Sequence, residues 1–237
     1  MKCIRYTFKI ILPLLLIVIE GMNVRTMDTG FSTELLSESD MNTLLKNVDI
    51  SLLMEEPPKK AIECFDVNED GFIAIGSSRF ENKTVCVYTD DGVFQYGYRF
   101  KSSGNFGIEL NKNVLNIYFV RSDVAIAVNS VGEVESILRI QNTSKNNSYW
   151  NSRVFSIRKK IRDDEYFLKN DMGIFNLFAS SYSQLIAVNK YGEKSIIYDV
   201  NSAQFLNMVV VVVGVAVFVC VVVAIIIRKF FKLKFNA

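Results

Sequence analysis

Acidic clusters are the residues of this chain whose types and spacing could do chemistry. Asp90-Asp91 and Asp163-Asp164-Glu165 offer the paired carboxylates that glycoside hydrolysis uses, one as acid and the other as base or nucleophile. Asp66-Val-Asn68-Glu-Asp70-Gly71 matches the first half of a calcium loop, but its twelfth position is Ser77 rather than a bidentate carboxylate. Acid pairs are common in turns without catalysis, so a polar β-turn is the preferred reading of each. The chain has no histidine, which removes the usual general base, the commonest metal ligand and the Ser-His and Cys-His nucleophile pairs. No residue is therefore assigned to catalysis, to a metal or to a cofactor, and the chain is expected not to be an enzyme.

The other chemistry-bearing residues have plain alternatives. Arg158-Lys159-Lys160-Ile161-Arg162 is the one basic run outside the C-terminal tail, and the acids that follow it point to solvated charge at a strand end. Of the four cysteines, Cys3 lies in a leader and Cys220 in an apolar span. Cys64 and Cys86 either form one disulfide or stand as two buried thiols, the second being preferred because their neighbours Phe65, Val85 and Val87 read as core strand. Tyr96, Tyr98, Tyr149 and Trp150 either stack on a sugar or peptide or pack inside the fold, and packing is preferred. Asn82, Asn142 and Asn146 head sequons that matter only in a glycosylating pathway.

These residues must be positioned by elements whose limits are set at the two ends. Met208–Ile227 is a run of twenty residues without a charge, followed at once by Arg228, Lys229, Lys232 and Lys234. At 1.5 Å per residue it makes a helix of about 30 Å, which matches a bilayer's hydrocarbon core. The basic tail after it predicts a cytoplasmic C-terminus. Met1–Gly21 has a basic start and a short apolar run, Ile10 to Ile19, and reads as a signal peptide, with an uncleaved anchor as the alternative. Residues 22–207 are then extracytoplasmic. The net charge of +2 comes from the ends, since the middle holds 20 basic and 24 acidic residues, and nucleic acid is not an expected partner. Within the span Ala216, Cys220 and Ala224 recur every four residues. That spacing is either a helix-pairing face for a homo-oligomer or chance.

Between the ends, residues 22–60 read as a connector with a short amphipathic helix from Ser37 to Val48, and residues 61–200 as a β-rich ectodomain. Residues 201–207 are juxtamembrane. The middle alternates apolar and polar residues at period two, broken by Asn, Asp and Gly. Ile126-Ala-Val-Asn-Ser-Val-Gly-Glu133 returns sixty residues later as Ile186-Ala-Val-Asn-Lys-Tyr-Gly-Glu193, and the register carries back so that Val114–Phe119 faces Ile174–Ala179. A looser copy surrounds Gly71 and Gly92. Gln141 to Lys160 reads as a loop plus an extra strand, Arg153–Ile157. The expected fold is mainly β: about three four-stranded propeller-like blades, open or incomplete, plus one C-terminal transmembrane helix.

At Phe65–Ser78 and Val87–Gly97 the chain resembles NHL-type and related bacterial propeller repeats, in which a strand, an Asp-Gly turn and an aromatic-bearing strand recur. The resemblance implies a β-rich interaction module and carries over no functional residue. The expected function is a membrane-anchored binding or scaffolding module with a protein or carbohydrate partner. A sensor that signals through the span is the alternative, and a carboxylate-based surface hydrolase the third.

Overall fold

The structure is a computed structural model and describes residues 27–235. The signal-peptide reading of Met1–Gly21 lies outside those residues.

Turn chemistry explains why the middle of the chain forms hairpins. Asn68, Asn129 and Asn189 each accept two backbone N–H groups on the side-chain oxygen, from the second and fourth residues after them. Gly71, Gly132 and Gly192 close these turns at φ of 91°, 90° and 81°, where a side chain would be strained. Thr89 does the same work with its hydroxyl, ahead of Gly92. The matched Asn129–Glu133 and Asn189–Glu193 segments are thus one turn built twice.

Among the described residues, fourteen strands form three antiparallel sheets. The first sheet holds β3 (Ile62–Val67), β4 (Ile73–Arg79), β5 (Asn82–Tyr88) and β6 (Phe94–Lys101), with β2 (Ser51–Leu53) added beyond β6. The second holds β7 (Phe106–Asn111), β8 (Val114–Phe119), β9 (Val124–Asn129) and β10 (Val134–Ile140), with β1 (Thr33–Leu35) beyond β10. The third is β11 (Arg158–Ile161), β12 (Asp164–Lys169), β13 (Gln184–Val188) and β14 (Lys194–Asp199). Between β1 and β2 runs helix α1 (Glu38–Val48), capped by Ser37, whose hydroxyl accepts the Asp40 N–H. The connector therefore lends an outer strand to two different sheets.

The sheets stack with the first in the middle. On one face Val85, Val87, Tyr98 and Phe100 meet Phe106, Ile108, Ile117 and Ile126 of the second sheet, and Met41, Leu44 and Leu45 of α1 close that core. On the other face Phe65, Ile75, Cys86 and Tyr88 meet Tyr166, Leu168, Leu185 and Tyr198 of the third. A third cluster covers the outer face of the second sheet, where Phe31 packs its ring against Tyr118, Tyr149 and Trp150 at centroid distances of 5.0, 4.7 and 4.7 Å.

This corrects the propeller-like expectation. All three sheets are open, each with two edge strands, and they do not close or curl into a ring. Alternation and Asn-Gly turns report hairpins, and hairpins serve an open stack as well as a closed array. The sixty-residue register also fails before Ile186. Val114–Phe119 is a strand, whereas Gly173–Phe178 is a single stretch of 3-10 helix in the β12–β13 connection. That connection is closed at its base by Asn170, whose side-chain oxygen accepts the Ser183 N–H at 2.7 Å. Gln141 to Lys160 is not a loop plus a strand at Arg153–Ile157. It holds α2 (Ser144–Tyr149) and a π-helical turn, Trp150–Val154, with the strand starting only at Arg158.

After Asp199 the chain enters α3 (Asn201–Phe235) with one residue between strand and helix. Residues 201–207, read as juxtamembrane, form the first turns of this helix. The segment Asn201–Ile226 is long and apolar enough to cross a membrane, and its apolar window is not buried against the β domain. The protein is a membrane-anchored chain carrying a large extramembrane β-rich domain. Ala216, Cys220 and Ala224 lie exposed along the helix.

Candidate functional site

Strand polarity divides the β domain into two ends. β14 delivers the chain to α3, and Asp199 pairs with Gln184, which pairs with Lys169. Those residues mark the membrane-proximal end, and Ile62 joins them through its bridge to Tyr182. The finishing ends of β3, β7 and β11 point the other way. There the Asn68–Asp70 turn, the Leu110–Val114 turn and Ile161 line an open cleft of 820 Å³, which Asn116, Ser136, Arg153 and Asp28 extend over the outer face of the second sheet.

Behind the lining of this cleft, and joined to it through Arg153, lies a buried charged network. Asp66 of β3 accepts the Leu110 N–H at 2.8 Å on one oxygen and the Lys159 ammonium at 2.7 Å on the other. Both side chains of this pair are 1% exposed. Glu109 of β7 accepts hydroxyl protons from Tyr149, at 2.5 Å, and from Tyr118. Arg153, from the π turn, lies 3.5 Å from Asp66 and 3.4 Å from Glu109, so one guanidinium ties both carboxylates together. Burial alone would lower the Arg153 pKa, but the two carboxylates outweigh it and raise the value. Burial, and then Glu109, push the Tyr118 phenol well above its ordinary range, so it stays a proton donor.

Two features turn this network toward the cleft. Arg153 keeps 38% of its side chain exposed while holding the buried acids. Asn116 is 1% exposed and donates to the Asp28 carbonyl at 2.7 Å, yet its side-chain oxygen has no hydrogen-bond partner. A buried acceptor without a donor costs free energy, and this one lies just beneath the cleft lining. The lining carries Asp28, Glu69, Asp70 and Glu135 against Lys112 and Arg153, which favours a polar ligand that is neutral or cationic.

The residues singled out in the sequence fall in several places. Of Asp66, Asn68 and Asp70, only Asn68 and Asp70 line the cleft, and Asn68 shapes the turn beneath it. Among the described residues no three His, Cys, Asp or Glu side chains form a group that could hold a metal. Asp90 and Asp164 do come together, with Glu193 and Lys194, along a second cleft of 350 Å³. Asp91 instead accepts the Thr89 hydroxyl and Glu165 pairs with Arg158 at 2.9 Å. The solvated reading of the basic run fails at Lys159, whose strand places it on the face opposite Arg158 and Lys160.

Cys64 and Cys86 are free and buried. They belong to cores on opposite faces of the first sheet, so no disulfide joins them. Tyr98, Tyr149 and Trp150 pack in the fold. Asn146 is also structural. Its side chain accepts the Ser32 N–H at 2.9 Å and donates to the Ser32 and Gln141 carbonyls at 2.9 and 2.6 Å. Sequence reasoning missed Glu109, Arg153 and Lys159 because their partners lie far away in the chain. The one local signal was the alternation that flips Lys159 inward.

Compared with models of known families, with curated proteins and with solved structures, the chain matches none. No relative adds to the resemblance noted in the sequence.

Proposed function

We propose that this protein is a single-pass, extracytoplasmic binding or scaffolding module whose membrane-distal cleft receives a polar protein segment or glycan. The observation that carries this reading is the cleft itself. Arg153, 38% exposed, lines it and is held from behind by Asp66 and Glu109. Preorganised charge suits recognition, because a ligand that pairs with the exposed part of Arg153 meets a side chain already fixed in place. In this reading the basic tail is cytoplasmic and the β domain faces outward. Arrays of synthetic peptides and glycans, probed with the full chain in lipid nanodiscs, test the assignment. Hits that vanish with Asp70→Lys or Lys112→Glu support it, and hits indifferent to both changes overturn it.

A sensor reading has one observation in its favour. Strand β14 passes into α3 with its backbone held throughout: Val200 donates to the Ser183 carbonyl and Gln204 to the Val200 carbonyl, both at 2.9 Å. Motion of the third sheet would reach the span directly. Insertion of four glycines between Val200 and Asn201, if it left recruitment of a cytoplasmic partner unchanged, would dismiss this reading.

A further inference from the structure

We infer that the 3-10 segment Gly173–Phe178 is a second membrane contact, a lipid-inserted foot beside the transmembrane helix. Ile174 is 76% exposed and Leu177 is 86% exposed, both in a turn that a water-facing loop would fill with polar residues. The turn is the β12–β13 connection, so it lies at the end of the third sheet from which β14 leaves for α3. It is fastened to the helix as well. The Phe175 and Phe205 rings meet edge to face at 5.5 Å, Asn201 donates to the Asp171 carbonyl at 2.9 Å, and Gln204 donates to the Ser181 carbonyl at 3.3 Å.

Depth follows from helix geometry. Phe205 precedes Met208 by three residues, so it stands about 4.5 Å above the hydrocarbon boundary, at the level of the headgroups where aromatic side chains concentrate. Ile174 and Leu177 flank the ring that touches Phe205, and Leu206 is exposed beside it. The nearest charges, Lys169 and Asp171, are paired at 3.8 Å, which lowers the cost of approaching lipid. Phe80, 88% exposed at the β4–β5 turn, points to the same end, since Ser77 of β4 pairs with Ile62. The occupant of this apolar face is therefore the bilayer that α3 already crosses. Two contacts rather than one would fix the tilt of the β domain on the membrane.

Spin-label accessibility on the full chain in phosphatidylcholine vesicles tests this. A nitroxide is placed at Leu177→Cys, at Ile174→Cys or, as a water-facing reference at the opposite end, at Tyr191→Cys, with Cys3 and Cys220 changed to Ser. The expected result is a several-fold higher ratio of oxygen to nickel-chelate accessibility at 174 and 177 than at 191. Equal ratios at the three sites would overturn the foot. Shielding of 174 and 177 from both reagents would overturn it too, by showing protein rather than lipid over the turn. All three sites are exposed, so labelling leaves the fold intact.

Discussion

Asp66 and Lys159, separated by 93 positions in the chain, meet at 2.7 Å with both side chains closed to solvent. The pair joins β3, at the edge of one sheet, to β11, at the edge of another, and it is expected to report on the integrity of the stack. Lys159→Met should destabilise the protein by about 3 kcal/mol, because it removes the closer of the two cations that face a buried carboxylate and leaves Arg153, at 3.5 Å, as the other. Asp66→Asn in the same chain keeps an acceptor for the Leu110 N–H and removes the charge. The double variant should therefore recover most of the loss in a urea-denaturation cycle, and additive losses would show that the pair does not interact.

Asn146 heads a sequon yet is spent on three hydrogen bonds, two that hold Ser32 and one to the Gln141 carbonyl. Asn146→Ala should cost roughly 3 kcal/mol by thermal or chemical melting. Asn142→Ala, at an exposed position, should cost little. Equal effects would contradict this assignment.

Burial raises the Cys86 thiol from its ordinary 9.0 to about 11 and pushes Cys64 higher still. Both thiols should resist alkylation at pH 8 in the folded protein and react fully in denaturant. The raised values mean that the folded state holds these protons more tightly than the unfolded chain. Their contribution is thus complete below pH 9 and fades as pH rises through about 11. For Cys86 the loss should be on the order of 2 kcal/mol. Cys86→Ala should flatten that part of the stability profile, measured as urea midpoint against pH.

Gly107 leaves room for the π turn. A Cβ there would sit 2.2 Å from a Val154 methyl, next to Arg153. Gly107→Ala should cost about 1–3 kcal/mol by overpacking, and Val154→Ala should rescue it. Binding by any cleft ligand that engages Arg153 should fall and recover in parallel, read by titration of the two variants.

The sequence made some of this structure legible and hid the rest for physical reasons. The span at Met208 was readable because a bilayer imposes a local rule of length and polarity on consecutive residues. The hairpins around Asn129 and Asn189 were readable because their turns depend on residues within five positions. How hairpins stack is decided by side chains far apart in sequence, and there the propeller-like reading went astray. The clash is plain at Ile174–Ala179, whose apolar alternation matches β8 but whose Gly173, at φ 58°, opens a 3-10 turn instead. Asp66 shows the same limit within the candidate site. Its motif revealed the turn that begins at Asn68, while its ion pair with Lys159 is a tertiary fact. The polar run from Gln141 was read as a loop and hid α2, which Thr143 caps by accepting the Asn146 N–H at 3.2 Å.

The direct passage from β14 into α3 sets an elevation. Six strand residues at about 3.3 Å each raise the far end of the third sheet about 20 Å above the helix. With the third sheet upright on the bilayer, as the proposed second membrane contact would hold it, the mouth near Ile161 would stand at that height, beyond the reach of molecules that remain dissolved in the same bilayer. Whatever occupies it arrives from the aqueous phase or from an opposing surface, and a tethered domain sweeping in two dimensions would meet such a surface at a fixed gap.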